Sequence, residues 1–153
     1  MSNVQHHTTA PAVSVGTRIT PYRVRPSTVQ LFRFSAVTWN AHRIHYDAAY
    51  ARSEGYADVV VQSHLHGCFL ANAVLAWAGP GAYLSTFGWE NRAVAVAGVL
   101  LTVTGTVTAL DTALDNAREG GRTVAEVTLE EHDEHGTLCA PGHARVVLPG
   151  GIR

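Results

Sequence analysis

Residues 64–78 read His-Leu-His-Gly-Cys-Phe-Leu-Ala-Asn-Ala-Val-Leu-Ala-Trp-Ala, with no acidic residue, Lys or Arg, and Gly79-Pro80 stops the run. Leu65, Phe69, Leu70, Val74, Leu75 and Trp77 are spread almost all round the helical turn, so this helix is expected to be central and buried. The period then changes. Residues 83–93, 100–110, 122–131 and 137–148 are rich in Val, Thr and Leu. In the third of these, Val124, Glu126 and Thr128 alternate with Ala125, Val127 and Leu129, the two-residue repeat of a half-buried strand. Strands in succession after one apolar helix imply an α+β domain in which an antiparallel sheet wraps around that helix.

The front half supplies shorter elements. Residues 15–24 predict a strand, and Pro26-Ser27 opens a helix running to Val37 with Ser27 near its cap. Residues 48–54 predict a short helix ended by Gly55, and Val59-Val60-Val61 leads into the long helix. Residues 111–121, polar with a Gly-Gly end, predict an exposed hairpin extension. No internal repeat or linker divides the chain, so residues 13–153 are expected to form one domain behind a disordered polar leader, 1–12.

Composition narrows the function. A chain of 153 residues buries roughly two-thirds of its unfolded surface around one core. A formal net charge of −1, with every cationic residue an Arg, lacks the basic face that nonspecific nucleic-acid binding needs. Residues 1–12 lack the positive start and apolar core of a signal peptide, and no apolar stretch approaches the ~20 residues of a membrane span. No membrane partner and a cytoplasmic location are therefore expected, with Cys68 and Cys139 as free buried thiols.

Chemistry is densest at residues 40–47, Asn-Ala-His-Arg-Ile-His-Tyr-Asp. His42 and His45, three apart, can share one face of a helical turn, with Asn40 and Asp47 flanking the same small volume. Such a cluster serves either as a proton-transfer site or as turn and capping chemistry, and spacing alone leaves both open. A metal site would draw on the same histidines and on His64 and His66. The spacing lacks a helix-borne His-x-x-x-His, so no metal is expected.

Residues 34–56, Phe-Ser-Ala-Val-Thr-Trp-Asn-Ala-His-Arg-Ile-His-Tyr-Asp-Ala-Ala-Tyr-Ala-Arg-Ser-Glu-Gly-Tyr, resemble the MaoC-like hydratase/dehydratase family, in its type 2 hydroxyacyl-thioester dehydratase and mesaconyl-CoA hydratase branch. The resemblance implies a hotdog fold, which agrees with the helix and sheet inferred above. In the wider family the motif is Asp-x-Asn-Pro-Ile-His, whose Asp and final His form the catalytic pair; here they fall on Asn40 and His45. An amide orients water but does not accept a proton at ordinary pH, so Asn40 departs from the two-residue acid/base pair. The family's oxyanion donor is a Gly amide about eighteen residues after the catalytic His, in a His-Gly pair at the helix start. That count reaches Ser63, preceded by Gln62.

The same resemblance implies a role for each site residue. His45 is expected to be the base that activates water, with Asn40 holding that water and the Ser63 amide stabilising the thioester oxygen. Asp47 orients an imidazole; Arg43 pairs either with a substrate carboxylate or carrier phosphate, or with Asp47 or Glu54. His42, Gln62 and His64 line the pocket, and Gly67 marks close packing of the acyl chain against the helix. The implied reaction is reversible addition of water across the 2,3 double bond of an enoyl-CoA or enoyl-carrier-protein, by a cofactor-free hydro-lyase acting as a homodimer in fatty-acid or polyketide metabolism. Two alternatives stand beside it: a noncatalytic partner subunit in a heterodimer, and a natural-product enzyme using the same pocket for elimination, cyclisation or isomerisation.

Overall fold

The computed structural model describes residues 13–113 and 122–149; the expected leader, 1–12, and the tip of the expected hairpin lie outside them. Elements run in the order β1 (Tyr22–Val24), α1 (Thr28–Val37), a 3-10 turn (Arg43–His45), α2 (Ala48–Ser53), α3 (Ser63–Ala78), β2 (Tyr83–Trp89), β3 (Leu101–Ala113), β4 (Arg122–Asp133) and β5 (Leu138–Val147). Local chemistry sets the helix ends. Ser27 accepts the Gln30 amide at the start of α1, Asp47 does the same for the Tyr50 amide at α2, and Gly79 closes α3 at a φ of 83°.

All strand pairs are antiparallel, in the order β1-β3-β4-β5-β2. β3, β4 and β5 form a meander, but β2 skips its sequence neighbour and pairs with β5, because residues 90–100 carry the chain from one end of the sheet to the other. The expected strand at 15–24 is reduced to three residues. Gly16, at a φ of 89°, turns the chain between Ser14 and Thr17, and upstream of β1 only Arg18 bridges, to Thr106. β2 ends at Trp89 rather than 93, although Glu90 and Arg92 still donate to the carbonyls of Pro141 and Cys139.

The two-residue repeat decides the core. Leu101, Val103 and Val107 on β3, and Ala125, Val127 and Leu129 on β4, point inward and are essentially inaccessible, while Thr104, Thr108 and Thr128 point out. Against them α3 packs Leu65, Phe69, Leu70, Ala73 and Val74, each large aliphatic side chain contributing roughly 1.5–3 kcal/mol on burial. The expectation of a helix buried all round is corrected here. His64, Cys68, Asn72 and Ala76, four apart, form an exposed stripe, so Cys68 is exposed while Cys139 is buried. Both thiols are free, and burial above all pushes that of Cys139 up to about 11.

Candidate active site

The turn 40–47 is built from its own hydrogen bonds. Asn40 Oδ1 accepts the His42 amide at 3.1 Å, the Tyr46 amide closes the 3-10 turn on the Arg43 carbonyl at 3.1 Å, and the Asp47 amide donates to the same carbonyl at 2.8 Å. His42 and His45 then face each other edge to face, ring centroids 6.0 Å apart, with His42 exposed and His45 only 9% accessible.

His45 is held from across the chain. Val60 donates its amide to the Ile44 carbonyl at 2.9 Å, and the Val60 carbonyl meets His45 Nδ1 at 2.7 Å. A carbonyl oxygen has no hydrogen to give, so Nδ1 carries the proton and Nε2 keeps its lone pair. Burial holds the imidazole below its ordinary pKa, outweighing the Val60 bond, and nearby His42 pushes the same way. The ring is therefore neutral at pH 7, with one nitrogen poised to take a proton.

Asp47 does not orient an imidazole. Its Oδ1 accepts the Tyr50 amide at 3.0 Å as the cap of α2, and its Oδ2 binds Arg43 Nη2 at 2.5 Å. The capping amide and the Arg43 guanidinium together hold its carboxyl below the usual carboxylate range. Of the two options for Arg43, the structure displays the ion pair, with the guanidinium 4.5 Å over the Tyr50 ring. Both residues stay exposed enough to meet a ligand. Asp47 is thus a capping residue, because a carboxylate two residues beyond the turn reaches the next helix before it reaches His45.

Ser63 is the first residue of α3 and Gln62 its cap. The amides of Leu65 and His66 both turn back to the Gln62 carbonyl, whereas those of Ser63 and His64 have no acceptor among the described residues. These two free donors at the positive end of a helix are what a developing oxyanion requires. Ser63 is three residue steps from Val60, a reach of at most about 10 Å, so the helix start and the group that fixes His45 belong to one short segment.

Gln62 faces the other way. Its side chain is 1% accessible, and its Nε2 donates to the Leu31 carbonyl and to Ser35 Oγ, both at 2.8 Å, stitching α1 to the start of α3. It is a structural anchor rather than a pocket residue. Gly67 is also reassigned. A Cβ there would lie 2.7–2.9 Å from the Trp89 indole, so its bare surface receives that ring and not an acyl chain. Nothing in the pattern around Trp89 marks it as a site residue. Its Nε1 donates to the Ser63 carbonyl at 3.1 Å and its ring meets His64 edge to face at 5.9 Å, pinning the first turn of α3.

Two further residues escape sequence reasoning. Val60 acts through its carbonyl, which no side-chain pattern reveals. Glu131 continues the inward series 125, 127, 129, and that register is the available signal; it lies buried against His66.

The chain matches the family model of the type 2 hydroxyacyl-thioester dehydratases over residues 2–97. It is 58% identical over 43 residues to a mesaconyl-C(4)-CoA hydratase of Chloroflexus aurantiacus, a stretch that spans 28% of this chain and 15% of that relative. Its fold is similar to that of the (R)-hydratase from A. caviae involved in PHA biosynthesis, with a TM-score of 0.75 and 20% identity over 92% of this chain and all of that one. A MaoC-like dehydratase from Rhodospirillum rubrum is similar at a TM-score of 0.73 and 17% identity, covering 92% and 96%. The ChsH1-ChsH2 complex from Mycobacterium tuberculosis gives 0.75 and 18%, covering 90% and 99%. The curled five-stranded sheet around α3 is thus a hotdog fold, and the chain belongs to the type 2 hydroxyacyl-thioester dehydratase family.

Proposed function

We propose that this chain catalyses reversible addition or elimination of water across the 2,3 double bond of an enoyl thioester carried by CoA or a carrier protein. The observation that carries this reading is the fixed tautomer of His45, whose Nδ1–H is engaged by Val60 and whose Nε2 is free to act as a base. In the hydration direction Nε2 takes a proton from water as the oxygen bonds to the β carbon. The π electrons move onto the thioester oxygen, where the free amide of Ser63 stabilises them, and the α carbon then receives a proton from the imidazolium. Asn40 keeps its amide nitrogen and one carbonyl lone pair for the water, since His42 occupies the other.

The match to the hydroxyacyl-thioester dehydratase family and the mesaconyl-C(4)-CoA hydratase relative support a thioester substrate. The stripe His64, Cys68, Asn72 and Ala76 on α3 supports pairing with a second copy, so the active species in this reading is a homodimer. Asn40 in place of the family's Asp favours a second reading, a partner subunit without activity of its own. One experiment addresses both: the purified chain is sized in solution and then offered crotonyl-, mesaconyl- and longer enoyl-CoA while the enoyl absorbance is followed. Turnover by a homodimer that His45→Ala abolishes is expected; a folded homodimer inert on the whole panel overturns the catalytic reading.

A further inference from the structure

The core holds a second imidazole that the proposed reaction does not use. His66, 1% accessible on α3, bonds through Nδ1 to Oε1 of Glu131, 0% accessible near the end of β4 and paired between Val103 and Ala140. Glu131 Oε2 has no partner among the described residues. A carboxylate with an unsolvated oxygen, beside a neutral imidazole and with no cation on it, is the costliest arrangement of this pair. Two placements keep the pair neutral overall: a carboxylic acid donating to Nδ1, or a carboxylate facing an imidazolium. In both, Nε2 of His66 bears the hydrogen.

That donor has no protein acceptor among the described residues. His66 lines a cavity of about 150 Å³ together with buried Val60 and Val61, Ala93, and the exposed residues Asn91, Arg92 and Val94. Arg92 commits one Nη2 contact, 2.5 Å, to Glu90, and the rest of its five-donor guanidinium remains available. The space is small and apolar along its valine walls, with buried His66 on its inner side and exposed Arg92 and Asn91 at its mouth.

From this we infer that the cavity is a binding site for a small carboxylate, seated between the Arg92 guanidinium and the region of His66 Nε2–H with its hydrocarbon part against Val60, Val61 and Val94. A planar anion with an apolar flank fits that lining; a phosphate, which needs more converging donors, does not. The carboxylate is either a free short-chain acid or the far end of an acyl group, and only the second source rests on the thioester reading above.

Sodium acetate is titrated into the intact protein against sodium chloride at equal ionic strength, with the His66 ring nitrogens followed by NMR. A protonated Nε2 whose signal moves saturably, with a Kd on the order of 1 mM, is expected. Arg92→Gln should weaken that binding about tenfold. The double change His66→Leu with Glu131→Leu removes both buried polar groups at once, so the fold survives by circular dichroism while saturable binding disappears. An unprotonated Nε2, no saturation in the wild type, or unchanged binding in the folded double variant overturns the site. A turnover arm then identifies the source. A preference for enoyl thioesters ending in a carboxylate, erased by Arg92→Gln, assigns it to the acyl group, whereas acetate binding without that preference assigns it to a free acid. A chain inert on every thioester leaves the acetate result to decide the site alone.

Discussion

His45 and His66 are both buried imidazoles with Nδ1 engaged, yet their partners give them opposite chemistry. A backbone carbonyl takes the Nδ1 hydrogen of His45, so its outer nitrogen is a proton acceptor; His66 faces a buried carboxyl group with an unpartnered oxygen, and in the neutral pair proposed above its outer nitrogen is a donor. The difference lies in the buried partner: a neutral carbonyl needs no counter-charge, whereas a carboxyl group out of reach of water needs a proton or a cation beside it. The surroundings agree: His45 sits on a turn whose neighbour His42 is exposed, while His66 is walled in by β4 and the first turns of α3. The first environment suits a group that must change protonation during a reaction, the second one that must not.

The largest effect that tests this contrast is in rate. His45→Ala should lower kcat by about 100- to 10,000-fold with the far-ultraviolet spectrum unchanged, since a positioned general base contributes that much. Retention of more than about a tenth of the activity would remove His45 as the base, because that lies well short of the range. His66→Ala belongs on the other axis. It strands Glu131 in the core and should cost about 3–5 kcal/mol of stability in denaturant titration, whereas the paired change to leucines should be close to neutral. If His66→Ala unfolds no more easily than wild type, the buried pair is not what holds this part of the core.

The same contrast separates what the sequence displays from what it hides. The run 64–78, its Gly79-Pro80 stop and the alternation along β4 rest on side-chain periodicity, and the elements appear where that periodicity places them. Ser27 and Gly55 are legible as helix boundaries for the same local reason. The pairing of β2 with β5 is not, because register across a long connection is set by packing. Within the site, His45 stands out by its motif, but its partner is a main-chain oxygen fifteen residues away, which looks the same for every residue type. Asp47 misleads because a carboxylate near histidines and a carboxylate before a helix are written identically. Glu131 is readable only by carrying the inward repeat two residues further than the apolar side chains invite.

At the helix start the effect is smaller and depends on the backbone alone. Ser63→Pro deletes one free amide at a first-turn position where proline is accepted, so the fold should persist while kcat falls by an amount worth roughly 3–4 kcal/mol. Ser63→Gly keeps the donor and should be tolerated, with a changed preference for substrate size. Ordinary turnover in a folded Ser63→Pro variant would take this amide out of the mechanism and leave the carbonyl without its donor.

The mildest test changes no residue at first. Because burial holds His45 below the ordinary value of 6.5, the folded chain takes up its proton at lower pH than the unfolded chain does. The stability this residue supplies is therefore complete above pH 6.5, declines as the pH falls below it, and stops declining once the folded imidazole is protonated as well. The kcat/KM profile should show the same group as an acid limb with its midpoint below 6.5, since protonation removes the base from the free enzyme. His45→Gln should abolish the limb along with most of the rate. The double leucine replacement of His66 and Glu131 should leave the limb where it was, because that pair acts on neither nitrogen of His45. A limb centred at or above 6.5, or one displaced by the double change, would mean that the two imidazoles share a titration, and the division of roles between them would fall.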